Sequence, residues 1–176
     1  MQMHRGNLFL VGMPGSGKST LGRLLAKRLD KRFFDTDAEL EHRLGVTIPV
    51  IFELEGEAGF RDREAAILAD FVVYGNVILA TGGGAILRAT NRERLRQNGT
   101  VLYLHATPET LWDRTRRSKH RPLLQAPDPH ARLNELYAFR DPLYREVADF
   151  VVESDQEQVI RLAQRLEQQL RAAARA

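Results

Sequence analysis

Gly12-Met13-Pro14-Gly15-Ser16-Gly17-Lys18-Ser19-Thr20 decides how this chain is read. It fits G-x-x-x-x-G-K-[ST], the pattern of a loop that wraps phosphate. Its three glycines permit a tight turn that aims backbone N–H groups inward. Lys18 supplies a point charge for β- and γ-phosphates, and the Ser19 hydroxyl is placed to hold Mg²⁺. The flanks agree. Asn7-Leu8-Phe9-Leu10-Val11 reads as a short buried strand entering the loop, and after Ser19 the residues Leu21, Leu24, Leu25 and Leu29 recur at helical spacing. A strand, a glycine-rich loop and a helix N-terminus in series make an anion site, because the first-turn N–H groups have no partner inside the helix.

Outward from the loop, strands and helices alternate. Arg32-Phe33-Phe34-Asp35 is a short strand ending in acid, and residues 37–44 read as a brief helix with Thr36 and Glu39 spaced as a capping box. Pro49 starts a short helix through Leu54, Gly56 breaks it, and a longer helix over 57–73 puts Phe60, Ile67, Leu68 and Phe71 on one face. Residues 76–81 form a buried strand stopped by Gly82-Gly83-Gly84. A polar helix over 90–97, a strand over 100–104 and a helix from Thr107-Pro108 to about Arg117 follow. Residues 118–129 hold Lys119, Arg121, Pro122, Pro127 and Pro129 without periodicity, and read as an active-site lid. Residues 130–147 are helical with an interruption at Pro142, and residues 150–152 form a last strand. Ser154 and Glu157 make a second capping box ahead of a closing amphipathic helix whose Arg161, Arg165, Arg171 and Arg175 form a solvated face.

Helices of this length between strands imply an α/β fold with a five-stranded parallel sheet and right-handed crossovers. Ligands then sit beyond the carboxyl ends of the strands. That rule puts residues 12–19, Asp35 and Asp37, the three glycines and His105 along one rim.

The chain has 176 residues, 43% hydrophobic and 28% charged, which suits one soluble domain with a sizeable core. No apolar run is long enough to span a membrane, and residues 1–6 are too short and polar for a secretory signal. There is no cysteine, which removes disulfides, thiolate metal sites and a cysteine nucleophile and fits a cytoplasmic protein. The net charge of +3 and a pI of about 9.5 suit a nucleic-acid binder or an enzyme for small anions. No dense Lys/Arg block interleaved with aromatics is present, which favours small anionic substrates over nucleic acid.

Phosphoryl transfer needs a phosphate cradle, a metal, an oriented nucleophile and cations on the moving charge. Asp35-Thr36-Asp37 offers one carboxylate for Mg²⁺ or its waters and one to accept a proton from a substrate hydroxyl. Gly82-Gly83-Gly84 suits a ligand lying against bare backbone. Arg61 and Arg140 fit a carboxylate, but composition alone leaves both as ordinary surface ion-pair partners. The strand over 100–104 ends in His105, not in Asp-Glu, which points to transfer to a bound acceptor more than to a hydrolytic motor.

Together these segments resemble the shikimate kinase family. The matching pieces are residues 12–20, Phe34-Asp35-Thr36-Asp37, residues 52–57 with Gly59-Phe60-Arg61-Asp62-Arg63-Glu64, Ala80-Thr81-Gly82-Gly83-Gly84-Ala85, Arg121-Pro122-Leu123-Leu124 and Arg140-Asp141-Pro142-Leu143-Tyr144. The resemblance implies the P-loop, nucleoside-monophosphate-kinase-like fold with strand order 2-3-1-4-5. It implies one kinase domain over 1–176, with a lid near 118–129 and a substrate-binding helical region near 37–64. The implied reaction moves the γ-phosphate of ATP to the 3-hydroxyl of shikimate, in aromatic amino-acid biosynthesis. Gly15, Ser16, Gly17, Lys18, Ser19 and Thr20 would hold ATP, with Arg121 arriving from the lid and Gln156 bordering the adenine. Asp37, Arg61, Gly83 and Arg140 would hold shikimate, Asp37, Lys18 and Arg121 would be catalytic, and Ser19 with Asp35 would take Mg²⁺. A monomer is expected. The loop reads Met13-Pro14 where relatives often reverse the pair. A gluconate kinase of similar fold and a non-catalytic ATP-binding regulator stand as alternatives.

Overall fold

A computed structural model describes residues 6–117 and 125–175. Five parallel strands form one sheet in the order β2-β3-β1-β4-β5. They are β1 Leu8–Val11, β2 Arg32–Asp35, β3 Val77–Ala80, β4 Thr100–His105 and β5 Phe150–Glu153. Between and after them run α1 Lys18–Leu29, α2 Thr36–Leu44, α3 Ile48–Val72, α4 Ala89–Asn98, α5 Pro108–Thr115, α6 Pro129–Val147 and α7 Val159–Arg175.

The sheet works because its central strands are apolar on both faces, as a parallel sheet covered by helices requires. Alternation along β1 separates two cores. Leu8 and Leu10 join Ile78, Leu102 and Leu104 under α1 and α7. Phe9 and Val11 join Leu79, Val101 and Tyr103 on the other side, under α3, α4, α5 and α6. At the lower edge the buried Asn7 stitches the strand starts together: its amide donates to Tyr74 O (2.6 Å) and Asn98 O (3.1 Å), and its carbonyl accepts from Val77 N (3.1 Å).

Several local expectations need correction. Asp35, not Thr36, caps α2: its Oδ1 accepts from Asp37 N (3.0 Å) and Ala38 N (3.3 Å). An ionised carboxylate is the stronger acceptor there, and the Thr36 hydroxyl is taken by Gly82 N–H at 2.9 Å. Ser154 and Glu157 cap nothing, because α7 starts only at Val159. Ser154 Oγ accepts from Arg114, and Glu157 pairs with Arg165 eight residues on. Helix α6 runs through Pro142 without interruption. The N–H missing there leaves one carbonyl short of a bond, and burial of Leu133, Leu136, Tyr144 and Val147 on either side keeps the helix continuous. The break at Gly56 is real: φ 68°, ψ −177° kinks α3 between its short and long parts.

Thr107 caps α5, its hydroxyl accepting from Thr110 N at 3.3 Å. Trp112 of α5 meets His130 in the first turn of α6 edge-on, with ring centroids 4.9 Å apart. Within the expected lid, residues 118–124 lie outside the described residues and Pro129 already belongs to α6. The same holds for residues 1–5 and the side chain of Arg175, while Arg161, Arg165 and Arg171 are exposed. No helix among the described residues is long and apolar enough to cross a membrane.

Candidate active site

Every strand ends on the same rim, so the loops after β1, β2 and β3 meet above the sheet. The glycine-rich loop rises from β1 and feeds α1 through Gly17, whose φ of 98° is open to glycine and strained for other residues. Lys18 folds back along the loop, its Nζ donating to Gly12 O (2.8 Å) and Met13 O (3.0 Å). Ser19, one residue into the helix, donates its hydroxyl to Asp35 Oδ2 in a short hydrogen bond. Asp35 therefore uses one oxygen to start α2 and the other to meet the phosphate loop from two strands away. A cavity of about 290 Å³ opens between them, lined by Gly15, Lys18, Ser19, Thr20, Asp37 and Gly83 among others. A second groove of about 180 Å³ continues past Ser16 and Thr20 to Arg114 and Ser154.

Asp37 faces this cavity from the first turn of α2. Burial, followed by the charges of Asp35 and Glu64, pushes its carboxyl up to about 7, against the pull of Lys18 and Arg61. Its neighbours arrive through the glycine turn. A Cβ on Gly82 would lie 2.6 Å from Glu64 Oε1 and 2.7 Å from Asp37 Oδ1. One on Gly83 would meet Pro14 Cδ at 2.8 Å and Arg140 Nη1 at 3.3 Å, and one on Gly84 would overlap the Arg61 guanidinium. None of the three glycines has a positive φ. They are small because side chains from α2, α3 and α6 must converge on this turn.

Arg61 and Arg140 are not surface residues: 8% and 2% of their area is exposed. Arg61 Nη1 donates to Glu64 at 2.8 Å and its Nη2 reaches Glu57 at 3.3 Å. Burial raises the Glu64 carboxyl, opposed by Arg61 and then Arg140. Arg140 has no carboxylate partner among the described residues, and its Nε, like that of Arg61, is buried without an acceptor. Two buried guanidinium groups with unused donors beside a glycine turn form a receptor for an anion. Tyr144, one turn after Arg140, donates its hydroxyl to Gly83 O at 2.5 Å and fixes α6 to the turn.

Ser19 and Asp35 present adjacent hard oxygens at the cavity floor. No cluster of three or more His, Asp or Glu side chains with metal spacing occurs among the described residues. That donor set fits Mg²⁺, which takes few protein ligands and completes its shell with water and phosphate oxygens.

The structure brings together Gly15, Ser16, Gly17, Lys18, Ser19, Thr20, Asp35, Asp37, Arg61, Gly83 and Arg140. It does not bring Gln156 there: that residue is exposed beyond β5 and lines a separate groove with Leu102, Val152 and Gln169. Arg121 lies outside the described residues. Sequence reasoning missed Arg114, which donates to Gly15 O (3.2 Å), Ser16 O (3.3 Å) and Ser154 Oγ (3.1 Å) and so braces the phosphate loop against the β5–α7 connection. It also gave no role to Glu64 or Tyr144. The signal for Glu64 was present, since Phe60, Glu64, Ile67, Leu68 and Phe71 share one helical face and a lone acid in such a stripe asks for a buried partner.

Residues 14–171 match the shikimate kinase family. The chain is 56% identical over 167 residues to the shikimate kinase of Burkholderia lata, covering 95% of this chain and 91% of that one. It is 56% identical over 170 residues to that of Nitrosospira multiformis, covering 97% and 87%. The Acinetobacter baumannii shikimate kinase solved in complex with shikimate superposes with a TM-score of 0.92 at 48% identity, over 96% of this chain and 94% of that one. These likenesses decide against the gluconate kinase and regulator alternatives. The chain belongs to the shikimate kinase family, kinases that transfer phosphate from ATP to a shikimate hydroxyl.

Proposed function

We propose that the shikimate kinase reaction is divided among these residues as follows, with transfer to the 3-hydroxyl. Gly15, Ser16, Gly17, Lys18, Ser19 and Thr20 hold the ATP phosphates, and the groove toward Arg114 and Ser154 takes the nucleoside, leaving Gln156 outside it. Lys18 exchanges its two loop carbonyls for phosphate oxygens. Ser19 and Asp35 hold Mg²⁺, which neutralises developing charge on the phosphates when bound. Arg61 and Arg140 grip the acceptor carboxylate across the glycine turn, with Gly83 as its floor. Asp37 orients the acceptor hydroxyl and takes its proton. A carboxylate poised near neutrality suits that task. Arg121 joins from the 118–129 segment as a further charge on the transferring group.

The observation that carries this division is the pair of buried arginines with unused donors beside Asp37. An acidic polyol supplies both an anion for their unused donors and a hydroxyl for Asp37. We read the chain as one kinase domain, with residues 37–64 receiving the acceptor. It acts as a monomer in the cytoplasm, where ATP is available. A coupled ADP-release assay with Mg-ATP and a panel of shikimate, gluconate and nucleoside monophosphates tests the reading. Turnover confined to shikimate is expected, and turnover on gluconate or a nucleotide but none on shikimate overturns it.

A further inference from the structure

Arg140 raises a question of aim. A buried guanidinium is usually oriented by a carboxylate, and among the described residues Arg140 has none. Its side-chain partner is the Tyr144 hydroxyl, one turn on in the same helix, so its direction comes from the seating of α6. That seating rests on one face of the helix, where Tyr137, Arg140, Asp141 and Tyr144 recur at spacings of three and four.

Opposite this face stand Tyr103 and His105, two residues apart on β4 and therefore pointing the same way. Tyr103 stacks on Tyr144 with centroids 4.9 Å apart and donates its hydroxyl to Asp141 at 2.8 Å. Arg145 holds the other oxygen of Asp141 at 2.9 Å and also reaches the Tyr137 hydroxyl. His105, 8% exposed, uses both ring nitrogens: Nε2 meets Tyr137 Oη at 2.7 Å and Nδ1 meets Glu153 Oε2 at 2.5 Å. Glu153 only accepts, so Nδ1 carries a hydrogen toward it, and Nε2 shares one hydrogen with the Tyr137 hydroxyl, which also accepts from Arg145. Every member is satisfied. The relay crosses from β5 through β4 to α6 one turn before Arg140.

We infer that His105 and Tyr137 are positioning residues for shikimate binding: their hydrogen bond holds α6 at the height where Arg140 meets the acceptor carboxylate. Neither residue lines the phosphate-loop cavity or the nucleoside groove. Loss of the bond should therefore weaken the acceptor and spare the nucleotide. The inference rests on the proposed role of Arg140.

The test is steady-state kinetics of Tyr137→Phe, His105→Leu, their double variant and His105→Gln, each with its Tm. Losing one half-buried hydrogen bond should raise the KM for shikimate about 3–10-fold, with kcat and the KM for ATP within about twofold. The double variant should be no worse than the worse single one, because the two share one interaction. His105→Gln, whose amide both donates and accepts, should keep the shikimate KM within about twofold of the unsubstituted chain. An unmoved shikimate KM in Tyr137→Phe and His105→Leu, or equal losses in both KM values and kcat, overturns the positioning role. Absence of shikimate turnover by the unsubstituted chain overturns the functional reading beneath it.

Discussion

The phosphate loop and the turn at residues 82–84 are both glycine-rich, both follow a buried strand, and use glycine for opposite reasons. In the loop, Gly12, Gly15 and Gly17 sit at φ 152°, 86° and 98°, so the backbone itself adopts a shape that few other residues tolerate. In the turn the backbone is ordinary, and the missing Cβ atoms leave room for Asp37, Glu64, Arg61 and Arg140. The proposed nucleotide half of the site is built on one contiguous stretch of main chain. The proposed acceptor half is made of side chains from three helices that meet only in the fold. Backbone recognition suits phosphate, which every nucleotide carries. Side-chain recognition can be shaped to one acceptor.

The largest test of that contrast is Asp37→Asn, which keeps the shape beside Gly82 and removes the charge. A fall in kcat of about 10²–10⁴-fold is expected, the usual range for a lost general base. A near-normal kcat would show that the space at Gly82 is held for packing alone. Next come paired alanines. Gly84→Ala drives a methyl group into the Arg61 guanidinium at an unstrained φ of −93° and should raise the shikimate KM about 10²-fold while sparing ATP. Gly15→Ala, at φ 86° and 2.5 Å from Thr115 Cγ2, should do the reverse. Equal effects on both substrates in either variant would erase the division. Arg140→Lys keeps the charge and loses the planar fork, so shikimate binding measured by calorimetry should weaken about tenfold with ATP binding intact.

The smallest effect expected is that of pH. With Asp37 ionising at about 7 in the folded chain, kcat/KM for shikimate should rise several-fold across neutrality. The same shift acts on stability with a definite sign. The folded state holds this proton more tightly than the unfolded chain, where the carboxyl ionises near 3.8. Stability therefore declines as pH rises from there to about 7 and is level above. Asp37→Asn removes the penalty, so its Tm should exceed that of the unsubstituted chain at alkaline pH and converge with it in acid. Parallel Tm curves would show that Asp37 is not strained by its surroundings.

What was legible in the sequence follows the same division. The loop, β1 and α1 are local, and their residues could be read in order. The sheet order came from family likeness, since periodicity shows that strands exist but not which neighbours they take. Asp35 and Thr36 compete for one cap, and only the positions of Ser19 and Gly82 decide between them. Arg61 and Arg140 looked like surface arginines because their burial depends on the turn at 82–84 standing opposite. A charged residue inside an apolar stripe, as at Leu133, Leu136, Arg140 and Tyr144, is the one trace of such convergence that the order of residues carries.

The contact between Trp112 and His130 has an optical consequence. The chain contains a single tryptophan, and it sits where α5 and α6 come together on either side of residues 116–128. All indole emission therefore originates at the root of the segment that joins these helices. The imidazole lies against the indole, so the emission should respond when ligand binding changes the spacing of the two rings. The molecule carries its own fluorescent gauge at that joint, and any shift of α5 against α6 on nucleotide binding can be timed by stopped flow without attaching a dye.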